Sequence, residues 1–312
     1  MQISTNTASC MTYDGFTTLV EDVEAMKILR AAGFRALDLS FVFQRRPEFI
    51  LRRPDWEQQI ERLGLAAEEA GVTFNQCHFP YTLMHLSSFH EDGYDELFFE
   101  LTRRAYHAAA MLKIPHGVLH PQTFPHLNHE NKACREENRR IFDPYVELGI
   151  RLGVRSAFEN MPPMLDHSYP MRYCLHYDQL IELVDSYQEP EYVGICWDTG
   201  HANLAKFDQP RALHAIGGKR LIALHLNDNH GGPLDEHTLP YLGTNKWQDI
   251  LQALVDIDYR GDLTYEVGAV SKFAPQGYMQ DALIRATYEN ALGLSRMYDQ
   301  LREASRKESC IQ

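Results

Sequence analysis

The sequence has 312 residues, 44% hydrophobic and 23% charged, which suits a globular chain of one large barrel or two medium domains. Its formal net charge of −13 disfavours non-specific binding to nucleic acid, where attraction to phosphate dominates. No apolar run reaches the ~20 residues of a membrane span and no secretory signal pattern opens the chain, so the expected location is the cytoplasm.

Short β-rich runs alternate with longer helical ones throughout. Residues 2–9 read as a weak strand, followed by a helical pattern over 17–33 that glycine closes. A strand at 34–41 and a helix at 56–71 come next, then a strand at 72–79 and a helix at 92–113. Strands at 116–120 and 155–160 precede helices at 131–153 and 177–187. The last three pairs are 192–198 with 209–217, 220–228 with 246–258, and 261–267 with 280–301. Eight such units with no internal linker predict an α/β single domain over 1–312. A closed (β/α)8 TIM barrel fits eight units; an open doubly wound sheet is the alternative. No GxGxxG or GxxxxGK[ST] motif follows any strand, which removes the usual nucleotide signatures. The six cysteines form no CxxC pair and read as reduced, packed thiols.

Barrel enzymes place their chemistry at the C-terminal ends of the strands. Those ends carry His78, His120, Glu159, Asp198, His225 and Glu266. Period-two alternation puts Glu266 on the face of Thr264, His225 with Ala223 and Asn227, and Asp198 with Cys196. These are the faces of smaller residues, as a barrel interior requires. Asp198 alone reads as an N-cap of the next helix. The six together would repel and desolvate one another unless a divalent cation joined them. Three carboxylates and one imidazole form a hard set suited to manganese, magnesium or cobalt, while further histidines favour zinc. Asp235 and His237 stand nearby in the loop "LDEHTLPYLG".

The pieces "CHFPY", "LHP", "FEN", "CWDTGHANL", "LHLNDN", "DEHTLPYLG" and "DYRGDLTYEV" together resemble the xylose isomerase-like TIM barrel superfamily. That group contains sugar phosphate isomerases and epimerases and the endonuclease IV-like nucleases. The resemblance to its ketose epimerases implies one cation on Glu159, Asp198, His225 and Glu266. It also implies that Glu159 and Glu266 are the catalytic acid and base, working through an enediolate. His201 would contact substrate oxygens, with His78, His120 and His237 as further substrate-binding residues. The resemblance to endonuclease IV implies instead three zincs, with His78, His120, His201, Asp235 and His237 as additional ligands. The nuclease pattern has Asp-Arg-His where this chain has Asp235-Glu236-His237. The ketose epimerases have an arginine after the metal histidine, where Gly231 and Gly232 stand here.

The expected function is therefore a metal-dependent isomerase or epimerase of a sugar or sugar derivative, with Mn2+ first and Mg2+, Co2+ or Zn2+ as alternatives. Its partner is a small carbohydrate, with homo-oligomerisation open. A zinc phosphodiesterase on abasic DNA, a lyase or deglycosylating enzyme, and a non-catalytic metal-stabilised binding protein are the other readings. Two loop expectations follow. Residues 160–177, with Tyr169, Tyr173 and methionines, form a lid or an ordinary packed loop. Arg45, Arg46, Arg52 and Arg53 read first as a solvated surface or subunit contact, with guanidinium forks to a substrate phosphate as the alternative.

Overall fold

The computed structural model describes residues 1–10, 22–42, 46–81, 94–127, 131–163, 172–272, 274 and 277–309. Eight parallel strands form the centre: β1 (Ile3–Asn6), β2 (Ala36–Ser40), β3 (Thr73–His78), β4 (His116–Leu119), β5 (Arg155–Glu159), β6 (Val193–Asp198), β7 (Leu221–His225) and β8 (Leu263–Tyr265). They pair in sequence order from β1 to β7, with β8 on the far side of β1. The ring closes between β7 and β8 through a parallel bridge, Leu226 to Tyr265. This is the closed (β/α)8 barrel that the eight alternating units predict; the open sheet is excluded.

The helices are α1 (Asp22–Ala32), α2 (Trp56–Ala70), α3 (Tyr94–Met111), α4 (Asn131–Leu152), α5 (Tyr177–Asp185), α6 (Thr199–Leu204), α7 (Gln209–Arg220), α8 (Trp247–Asp256), α9 (Ala269–Lys272) and α10 (Tyr278–Ser309). The expected 17–33 helix is seen from Asp22 onward, and its first residues lie outside the described ones. The short helix α9 was not expected, because a run of four residues carries no helical period to read, while α6 starts at the cap that Asp198 suggests. Glycine closes α2 as foreseen: Gly71 adopts φ 67° and its amide reaches back to the Ala67 and Glu68 carbonyls.

Strand alternation sorts the side chains. Leu37, Leu39, Ile195, Trp197, Leu224, Leu263 and Tyr265 face outward into the apolar layer shared with the helices. Removing a side chain the size of buried Trp197 from that layer costs on the order of 3–5 kcal/mol. Inside the ring, Val118, Ala157, Cys196, Ile222 and Ala223 make a small apolar plug. Beside the plug runs a polar floor: Ser4 and Asn75 donate to Thr264 Oγ1, Thr264 donates to Gln76 Oε1, and Gln76 donates to Asp38 Oδ2. The pairing of β2 with β3 shifts register between Leu37 and Asp38, a bulge of the kind that re-aims side chains near sites.

Candidate active site

Four of the six expected residues, His78, Glu159, Asp198 and His225, are the last residues of their strands, and His120 and Glu266 follow β4 and β8 directly. Glu159, Asp198, His225 and Glu266 each offer a ligand atom within 4.8 Å of the others. His225 Nδ1 lies 2.9 Å from Glu159 Oε1 and 3.2 Å from Glu266 Oε2. Ligand atoms around a cation with ~2.1 Å bonds stand roughly 3–3.5 Å apart, so this set fits a divalent ion.

Two outer groups flank the centre. His78 Nε2 and His120 Nε2 are 3.0 Å apart, and His120 Nε2 is 3.0 Å from Glu159 Oε2. On the other side Asp235 Oδ2 is 3.2 Å from His201 Nε2 and 3.0 Å from His237 Nε2. Three of these imidazoles have their far nitrogen fixed by a backbone carbonyl: His78 by Phe79, His201 by Asn160 and His237 by Glu266, all at 2.8–2.9 Å. Nδ1–H donates in each, so each Nε2 faces the carboxylates, donating to them while protonated and free to offer a lone pair to a cation once deprotonated. His237 holds this pose with a positive φ of 45°, local strain of the sort found at sites.

The electrostatics reflect the crowding. Burial pushes the Asp198 carboxyl up to about 6. Burial also opposes ionisation of Glu266, yet His225 beside it holds its carboxyl down at about 2. Glu159 is held well below the usual carboxylate range, because His225 and His120 outweigh its burial. The imidazoles answer: burial would lower His201, but Asp198 and Asp235 hold it at about 10. Burial brings His120 down to about 4 despite Glu159. Protons and a metal ion would compete for the same nitrogens.

Supporting contacts come from the "DTGH" and "LHLNDN" segments. Asp198 is the N-cap of α6, its Oδ1 accepting the His201 amide at 2.6 Å, while its Oδ2 accepts from Asn227 Nδ2 at 2.7 Å. The cap and a ligand role are therefore compatible in one carboxylate. Asp228 is wholly buried and accepts from the amides of Asn229, Tyr241 and Asn245 and from the Trp247 indole. It also exchanges two backbone hydrogen bonds with Thr238, next to His237.

The cluster forms the floor of a cavity of about 340 Å³, lined by Glu159, Glu266, Asp235 and the four outer histidines. A model for the xylose isomerase-like TIM barrel matches residues 26–287. The chain belongs to this family. It is 31% identical over 183 residues to the uncharacterized protein y4fM of Sinorhizobium fredii (strain NBRC 101917 / NGR234), 57% of this chain and 55% of that one. It thus spans about half the length of that relative. It is 25% identical to a probable endonuclease 4 of Methanosphaerula palustris over 224 residues, 65% of this chain and 73% of that protein. Among solved structures, a D-tagatose 3-epimerase-like protein superposes with a TM-score of 0.67 at 20% identity, covering 99% and 100% of the two chains. The IOLI protein with a bound zinc atom superposes at 0.73 and 13% identity, covering 96% and 99%. These structural likenesses speak for the xylose isomerase-like fold alone.

Every strand-end residue expected in this family member is found at the mouth, and His201, Asp235 and His237 join it. One loop expectation is corrected. Tyr173 does not cover the cavity; it is buried in the layer between barrel and helices, where its amide donates to Thr123 Oγ1. Pro162 and Pro163 do line the cavity, and Tyr169 lies outside the described residues. Of the arginine cluster, Arg45 is likewise outside them, Arg53 pairs with Asp55, and Arg46 stands 3.9 Å from Glu48. Neither Arg46, Arg52 nor Arg53 lines the cavity, whose guanidinium comes from Arg172. Arg172, Tyr81 and Val42 were missed because they lie in loops with no periodic signal. Asp38 was missed although "ALDLS" shows an acid on the inward face of an apolar strand.

Proposed function

We propose that this chain is a divalent-cation-dependent isomerase or epimerase of a sugar or sugar derivative. The observation that carries the reading is the pairing of two carboxylates, Glu159 and Glu266, over one donor cluster at the floor of a cavity of small-molecule size. Glu159, Asp198, His225 and Glu266 would hold the ion, and manganese suits three carboxylates with one imidazole. When bound, such a cation polarises a carbonyl and its neighbouring hydroxyl and so acidifies the carbon-bound proton.

The chain's own groups do the rest. Glu159 and Glu266 come from strands three apart in the ring, so they approach a bound molecule from different sides. Both are ionised at neutral pH. One carboxylate removes the proton, and the other, having taken a proton from water, delivers that proton to the opposite face. His201, His78, His120 and His237 bind the substrate's hydroxyls, and Val42, Leu204 and the two prolines exclude water. Incubation of the cation-loaded protein with a panel of ketoses and keto-sugars in D2O tests this. Deuterium entering the carbon beside the carbonyl is the expected result, and product analysis separates epimerisation from elimination. No exchange on any member would count against the reading.

One observation favours a second reading, a zinc phosphodiesterase on abasic DNA. The donors fall into three compact groups that share Glu159 or adjoin it: His78–His120–Glu159, the central four, and His201–Asp235–His237. Three tightly bound zincs and incision of an abasic duplex would establish it.

A further inference from the structure

Asp38 is a wholly buried carboxylate that the chemistry above leaves unused. Its Oδ1 has no hydrogen-bond partner, and its Oδ2 accepts one long bond, from Gln76 at 3.3 Å. A carboxylate so poorly satisfied in the interior is costly and needs a reason. Directly above it, 3.6 Å from Oδ2, is Nε2 of His225, itself buried and without a hydrogen-bond partner.

The other imidazoles show what is missing. His78, His201 and His237 each have Nδ1 fixed by a main-chain carbonyl, which leaves Nε2 to face the carboxylates. His225 is mounted the other way round, with Nδ1 toward Glu159 and Glu266. Its far nitrogen, Nε2, finds no backbone carbonyl in the barrel floor. Asp38, on the inward face of β2 beside a bulge at Asn75 of β3, presents a side-chain oxygen there instead.

We propose that Asp38 is the positioning residue of His225, accepting Nε2–H so that Nδ1 keeps its lone pair for a cation. The inference rests on the cation reading above and adds a fifth protein group to that site, one that never touches the ion. Through Gln76 the same carboxylate is tied to β3, so the orientation of His225 is referred across the ring.

Zinc affinity, measured by competition with a chelator, tests this in the full chain, in Asp38→Asn and in Asp38→Leu. Ser4→Ala serves as a control for general damage to the floor. Loss of an outer partner of a ligating histidine weakens metal binding by about 10- to 100-fold. Asp38→Leu is expected in that range and Asp38→Asn between it and the parent, while Ser4→Ala keeps the parent's affinity. Nitrogen-15 spectra of the zinc-loaded parent should show His225 protonated at Nε2, with a hydrogen-bond shift that diminishes in Asp38→Asn. Should Asp38→Leu fail to fold, Asp38→Asn, which matches the native shape, still decides. Parent-like affinity in the folded Asp38 variants with an unmoved His225 signal overturns the inference. A parent that binds no divalent cation overturns the cation reading first, and this inference with it.

Discussion

Asn227 donates from Nδ2 to Asp198 Oδ2 at 2.7 Å, while its Oδ1 fills the space that a Cβ on Gly200 would need. The "DTGH" turn and the strand end "HLN" are therefore fitted to each other at one atom. Gly200→Ala should force Asn227 aside and cost about 1–3 kcal/mol, the usual range for overpacking a filled interior. Denaturant unfolding of the two proteins gives the number, and an unchanged midpoint would refute the fit.

The outer histidines separate the two functional readings. In a sugar enzyme with one cation on the central four, His237→Ala should lower turnover and leave about one metal per chain by elemental analysis. In a three-zinc nuclease the same change removes a ligand of the His201–Asp235–His237 group, and content should fall from three toward two.

Cation binding should release protons. Asp198 and Asp235, against the effect of burial, hold His201 at about 10, and His225 and His237 likewise stand well above a free imidazole. With folded values above the ~6.5 of the unfolded chain, their ion pairs stabilise the metal-free fold fully below that pH. That contribution is lost as pH rises toward 10. Of the three, His225 is the proposed ligand and must lose the Nδ1 proton to hold a cation, so cation affinity should rise with pH. Calorimetry in two buffers of different ionisation enthalpy reports the released protons; identical heats in both would contradict the expectation.

Asp228→Ala would strand the amides of Asn229, Tyr241 and Asn245 and the buried Trp247 indole at once. Each lost partner costs about 1–3 kcal/mol, so a destabilisation of at least ~3 kcal/mol is expected. Amide exchange should accelerate in residues 229–246 ahead of β1 to β4. Uniform acceleration across the barrel would mean that Asp228 acts on the fold as a whole.

Among the described residues that line the cavity, Arg172 is the sole lysine or arginine. Replacement by methionine should raise KM while kcat stays within about two-fold, the pattern of lost uniform binding. A fall in kcat at constant KM would place it in the chemistry instead.

The eight strands were legible because a buried parallel strand is a short apolar run bounded by glycine or polar residues, as in "GICWD" and "RLIALHL". The convergence of Glu159, Asp198, His225 and Glu266 followed from strand ends plus alternation. Other features have no such period. Arg172 and Tyr81 reach the cavity from loops, and Tyr173 is buried by a backbone turn with φ 60° at Cys174 that no apolar pattern announces. Asp38 stands in plain view on the inward face of "ALDLS", but its approach to His225 joins strands far apart in the chain and leaves no local pattern.

Asp228 grips its loop by main-chain amides and one indole. The exposed side chains of that loop, Leu234 and Leu242 among them, take no part in the grip. Mutational drift at the rim is thus uncoupled from the frame that carries Asp235 and His237. Lineages of this chain can change what enters the cavity one surface residue at a time, with no intermediate that must first lose and then regain its shape.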